Sequence, residues 1–171
     1  MKIKPDRKST VANAGDVSIV SWEPRYATGI EQIDVQHRRL VFLTNELYKA
    51  CRTGGNTALQ TVFEDAMHSM VEYVRFHFRD EVELLQCIKY PGFAAHKKEH
   101  ESLIKNILDA AKDYDEGKKF VPNSFVRTLK DWVFGHIAVS DRLYSLYVED
   151  QKKKGLLTDQ DLMSCSLASR K

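Results

Sequence analysis

Residues 59–88 read LQTVFEDAMHSMVEYVRFHFRDEVELLQCI, and this stretch decides the fold. Leu59, Phe63, Ala66, Met70, Tyr73, His77, Glu81, Leu84 and Ile88 follow one another in steps of four and three. That stepping lines up one face of an α-helix. Tyr90-Pro91-Gly92 then breaks the chain. Upstream, Ile33, His37, Leu40, Thr44, Leu47 and Cys51 step in the same way, with Asp34 expected as the N-cap. Gly54-Gly55 should end that run, and Asn56 is placed to cap the next. Downstream, His96, His100, Leu103, Ile107, Ala111 and Tyr114 make a third face, ending near Gly117. Pro122-Asn123-Ser124 opens a fourth, with Phe125, Leu129, Trp132, His136, Leu143 and Tyr147 inward, closing before Gly155.

No stretch alternates with a period of two. The expectation is an all-α protein, an antiparallel up-down-up-down four-helix bundle over residues 20–153. A flexible N-terminal tail (1–19) and a C-terminal tail or short helix (154–171) should flank it.

At 43% hydrophobic and 29% charged, the 171 residues can bury one ordinary core. The net charge of +2 divides into +2 on residues 1–19, +3 on residues 152–171 and −3 between them. A slightly acidic domain with solvated tails lacks the basic field that nucleic-acid binding needs. No apolar run approaches the ~20 residues that span a bilayer. No apolar stretch follows Met1-Lys2-Ile3-Lys4, so no secretory signal is read. Cys51, Cys87 and Cys165 are odd in number, far apart and without a CxxC pair. This argues against a disulfide framework and for a reducing, cytoplasmic setting.

The informative residues are the polar ones on the inward faces. His37, His77, His96, His100 and His136 interrupt all four seams, with Glu81 one turn after His77. One inward histidine is ordinarily a hydrogen-bonded core residue. Five on four seams, beside a glutamate, cannot readily satisfy one another. Buried ionisable groups are costly unless paired or bound to a metal, and imidazole and carboxylate are both good ligands. Asp141 follows His136 by five, about 140° further round a regular helix, where a solvated carboxylate is expected. For Asp141 to face the same centre, the helix needs a π-type irregularity between the two. His68 falls between seam positions, beside Glu64 and Asp65, and reads as surface.

These residues resemble the hemerythrin family, specifically its bacterial single-domain members. The resemblance covers about residues 20–150. It runs from Trp22 through Ile33-Asp34-Val35-Gln36-His37-Arg38-Arg39-Leu40, His77-Phe78-Arg79-Asp80-Glu81 and Tyr90-Pro91. It continues through His96-Lys97-Lys98-Glu99-His100 and Trp132-Val133-Phe134-Gly135-His136-Ile137-Ala138-Val139-Ser140-Asp141. The resemblance implies two non-haem iron ions joined by an oxo or hydroxo bridge. His96, His100 and His136 would hold one, and His37 and His77 the other. Glu81 and Asp141 would bridge them. One coordination position then stays open, on the iron with two histidines, and dioxygen binds there reversibly. Leu40, Phe78, Trp132, Ile137 and Val139 would form the apolar pocket around it.

The expected activity is therefore dioxygen binding for storage, delivery or sensing, without enzymatic turnover, membrane insertion or nucleic acid. The alternatives are a di-iron oxidase or peroxidase, or an iron or redox sensor, using the same centre. Ferritin-like oxidases use carboxylate-rich sets with Glu-x-x-His pairs, and no such pair lies on a seam here. A methionine often follows the glutamate in the family where Leu85 stands here, a volume-conserving apolar exchange.

Overall fold

The computed structural model describes residues 18–52, 57–116 and 122–168, and every regular element among them is helical. Helix α1 spans Glu31–Arg52, α2 Thr57–Cys87 and α3 Phe93–Asp115. Helix α4 (Pro122–His136) runs through a π-helical turn, Ile137–Asp141, directly into α5 (Arg142–Lys153). A short helix α6, Asp159–Ala168, follows. The α4–α5 rod is the fourth member of the bundle, beside α1 and α3, while α2 packs between α1 and α3. Among the described residues no helix is long and apolar enough to cross a membrane. The tail before residue 18, the expected caps at Gly54-Gly55, Asn56 and Gly117, and the side chain of Leu59 lie outside the described residues.

The 4-3 seams are the buried faces. Ile33, Leu40 and Leu47 of α1, Met70 and Leu84 of α2, and Leu103 and Ile107 of α3 are all at most 3% exposed. Asp34 is not the N-cap, because α1 begins three residues earlier. From within the first turn its carboxylate accepts from the Thr28 N–H and hydroxyl (2.6 and 2.8 Å) and from the Gly29 N–H (3.2 Å). It thereby holds the bend that feeds α1, where Gly29 takes φ 76°. The arm before it is pinned to α1 by Asn45, which accepts from the Ile19 N–H and donates to the Val20 carbonyl, each at 2.9 Å.

The fourth rod departs from the expected register. The π turn inserts one extra residue, so the inward face beyond it is Tyr144 and Val148. Leu143, expected inside, is 57% exposed.

Among the described residues the apolar interior forms two separate clusters. One, around Leu40, Leu47, Met70, Val74, Phe78, Leu103 and Val133, fills one end of the bundle. The other, around Ile33, Leu84, Leu85, Tyr144 and Leu162, fills the opposite end. On each rod the inward histidines and carboxylates fall between the two.

The cysteine expectation is overturned. Cys87 at the end of α2 and Cys165 on α6 form a disulfide with Cα atoms 5.9 Å apart, and Cys51 alone remains a free thiol. A covalent pair 78 residues apart along the chain requires only that the fold bring two Cβ atoms together, which no local spacing reveals. The C-terminal segment is accordingly a docked helix that adds Leu162 and Cys165 to the second cluster.

Candidate metal centre

The bundle brings together all seven residues expected as ligands. His37, His77, Glu81, His96, His100, His136 and Asp141 are each at most 6% exposed. Asp141 reaches the interior because Ile137–Asp141 is a π-helical turn, the irregularity its position demanded. His68 lies outside, with its side chain 74% exposed beside Glu72.

Two groups of ligand atoms form, each within 4.8 Å: Glu81, His96, His100, His136 and Asp141 in one, and His37, His77 and Glu81 in the other. Glu81 belongs to both. Its Oε2 lies 3.0 Å from His100 Nε2, 3.3 Å from His96 Nε2 and 3.9 Å from His77 Nε2. Asp141 spans them too, with Oδ2 3.2 Å from His37 Nε2 and Oδ1 3.1 Å from His136 Nε2.

These separations match those between neighbouring ligand atoms on a six-coordinate ion. Bonds of about 2.1 Å at right angles place donor atoms about 3 Å apart. His100 Nε2 and His136 Nε2 lie 2.9 Å from each other. Both Asp141 oxygens and His37 Nε2 are buried without a hydrogen bond, despite their closeness. They are close but not aligned on one another for hydrogen bonding, and so are free to act as ligands. The donor set fits a pair of metal ions.

Three imidazoles are fixed from behind. The Nδ1–H of His37 donates to the Tyr26 carbonyl (3.2 Å), that of His77 to Gln36 Oε1 (2.9 Å) and that of His136 to Glu99 Oε2 (2.8 Å). In the neutral ring each bond places the proton on Nδ1 and leaves Nε2 free to face the centre. Gln36 in turn donates to Asp80 Oδ2 at 2.9 Å. The Tyr144 hydroxyl donates to Glu81 Oε1 at 2.5 Å. Spacing did not single out Gln36, Glu99 or Tyr144. The first two flank ligand histidines in sequence, which was the available signal, whereas Tyr144 was hidden by the shifted register.

Phe78 lies flat on His100, with ring centroids 3.7 Å apart, and Trp132 is stacked on His136 at 5.0 Å. Leu40 and Ile137 are buried beside them. Val139 does not belong to this cover. It is 63% exposed, facing away from the centre within the π turn that carries Asp141 inward.

Burial and charge set the proton affinities. Burial pushes His77 down to about 3. For His136 burial also acts downward, but contact with Asp141 and the charges of Glu81 and Glu99 outweigh it and raise the group to about 9. Asp141 is held below the usual carboxylate range, its burial and Glu81 being outweighed by His136 and His37. A depressed group adds stability above its ordinary pKa and loses it as pH falls; a raised group adds stability below its ordinary pKa and loses it as pH rises. The metal-free protein should therefore weaken as pH falls below about 6.5, through His77, and as it rises toward about 9, through His136. The urea midpoint of chelator-treated protein across that range checks this, and a flat profile would contradict it.

The family model "Hemerythrin HHE cation binding domain" matches residues 28–146. The chain belongs to the hemerythrin family. Among similar hemerythrins, the bacteriohemerythrin of Pseudomonas aeruginosa is 30% identical over 145 residues, covering 80% of this chain and 92% of its own. That of Stenotrophomonas maltophilia is 30% identical over 129 residues, covering 75% and 81%. That of Methylococcus capsulatus is 28% identical over 129 residues, covering 75% and 95%. A solved wild-type hemerythrin superimposes with a TM-score of 0.69 at 28% identity, over 75% of this chain and 96% of that one. Hemerythrins hold a non-haem di-iron centre and bind oxygen without acting as enzymes, and the buried His/Glu/Asp cluster here suits iron.

Proposed function

We propose that this hemerythrin binds dioxygen reversibly for storage, delivery or sensing. Its iron pair would be held by His37, His77, Glu81, His96, His100, His136 and Asp141, within a working unit of residues 20–153. The observation that carries the reading is the sharing of two buried carboxylates between a three-histidine and a two-histidine group. When bound, two ferrous ions supply the two electrons that hold dioxygen. The protein's part is orientation and exclusion. Tyr26, Gln36 and Glu99 aim His37, His77 and His136. Tyr144 holds one oxygen of Glu81. Phe78, Trp132, Leu40 and Ile137 keep water and stray protons from the centre.

The test is to load the protein with ferrous iron under argon, admit oxygen and record the visible spectrum. A stable band that disappears under argon supports reversible binding. Rapid, irreversible oxidation with turnover of an added reductant would favour the oxidase or peroxidase reading. A redox-sensing role has one specific observation in its favour, the disulfide that ties α6 to α2 six residues after Glu81. A cytoplasmic site of action remains part of the proposal, and the same disulfide weighs against it. Thiol trapping of Cys87 and Cys165 in intact cells decides between reducing and oxidising surroundings.

A further inference from the structure

The acceptors behind the histidines differ in kind. His37 and His77 donate to neutral groups, a backbone carbonyl and the amide of Gln36. His136 donates to a carboxylate, Glu99 Oε2, at 2.8 Å. The Ser140 hydroxyl donates to that same oxygen at 2.6 Å, fixing the carboxylate in place. Glu99 stands between His96 and His100 on α3, turned toward the α4 edge, and the π turn that brings Asp141 inward moves Ser140 off the seam to the rim.

A charged acceptor draws on the Nδ1–H and raises the donor strength of Nε2 more than a neutral one does. The three-histidine half of the centre therefore has a strengthened ligand, whereas the anchored ligands of the two-histidine half have neutral supports.

We propose that Glu99, held by Ser140, is a positioning residue that makes the His96–His100–His136 half the tighter metal site, so that two ions load in order. The inference rests on the ligand assignment proposed above. Glu99 rims an open groove of about 620 Å³ with Lys98, Trp132 and Ser140, and its side chain is 47% exposed. The fold should tolerate its replacement.

The experiment is an anaerobic titration of metal-free protein with ferrous iron against a chromophoric chelator. The native chain should show two separated binding steps. Glu99→Gln gives His136 the same kind of acceptor that His77 has, and should weaken the first step about tenfold. Glu99→Ala removes the acceptor and should weaken it up to about 100-fold, merging the steps. Glu99→Gln, which keeps an acceptor for the His136 Nδ1–H, should leave the metal-free melting temperature near the native one, whereas Glu99→Ala, which removes it, should lower it by a few degrees. Two unchanged steps in Glu99→Ala would overturn the inference, as would equal weakening of both steps with a lowered metal-free melting temperature. His136→Ala in the same titration separates the two levels. If it loses the first step while Glu99→Ala does not, only this inference falls. If it binds both ions like the native chain, the ligand assignment fails and takes the inference with it.

Discussion

Replacing Glu81 with alanine should abolish iron binding at both halves of the centre. Among the described residues Glu81 lies in both groups of ligand atoms, and the other spanning carboxylate, Asp141, would be left alone among five imidazoles to balance two divalent ions. The loss extends beyond the metal. Tyr144 is fully buried and donates to Glu81, so its hydroxyl would be left without a partner, at a cost of about 1–3 kcal/mol. Metal analysis of purified variants gives the comparison. Glu81→Ala should hold no iron, His77→Ala about one equivalent fewer than native, and His68→Ala the native amount. Retention of two equivalents by Glu81→Ala would remove Glu81 from the centre.

Breaking Cys87–Cys165 should have the largest effect on stability. The bond closes a loop of 78 residues, for which the chain-entropy relation gives about 4–5 kcal/mol. Among the described side chains of α6, Leu162 and Cys165 are the buried ones. Cys165→Ser, or the native chain under reductant, should therefore show a markedly lower urea midpoint and early protease cleavage within Asp159–Ala168, while the four rods stay helical. Cys51→Ser should change the midpoint little. Cys51 is already a free, partly buried thiol, pushed up to about 11 by that burial. An identical midpoint with and without reductant would show that the bond adds nothing to the fold.

Much of this arrangement was legible in sequence because a helix repeats. Once His77 and Glu81 fall on the face of Met70 and Leu84, their burial follows from geometry alone. Reading failed where a residue depends on something other than that repeat. The π turn adds one residue to the count, so spacing places Leu143 inward and passes over Tyr144, although the need for such a turn is itself readable from Asp141; Val139 enters the pocket only through the family resemblance. Gln36 and Glu99 occupy the flanks of their helices, where a polar residue ordinarily faces water. Only the neighbouring helix shows that each is bonded to an imidazole. Cys87 and Cys165 meet only through tertiary docking.

Among the described residues the two apolar clusters lie on either side of a polar belt at mid-height, and no continuous apolar column joins them. Each end can hold itself together by burial, but the belt has no comparable cohesion of its own. Ions seated there would tie all four rods at their midpoints, like a rivet through a bundle of staves. Metal occupancy would then be felt as stiffness between the two ends of the molecule as well as in the coordination sphere.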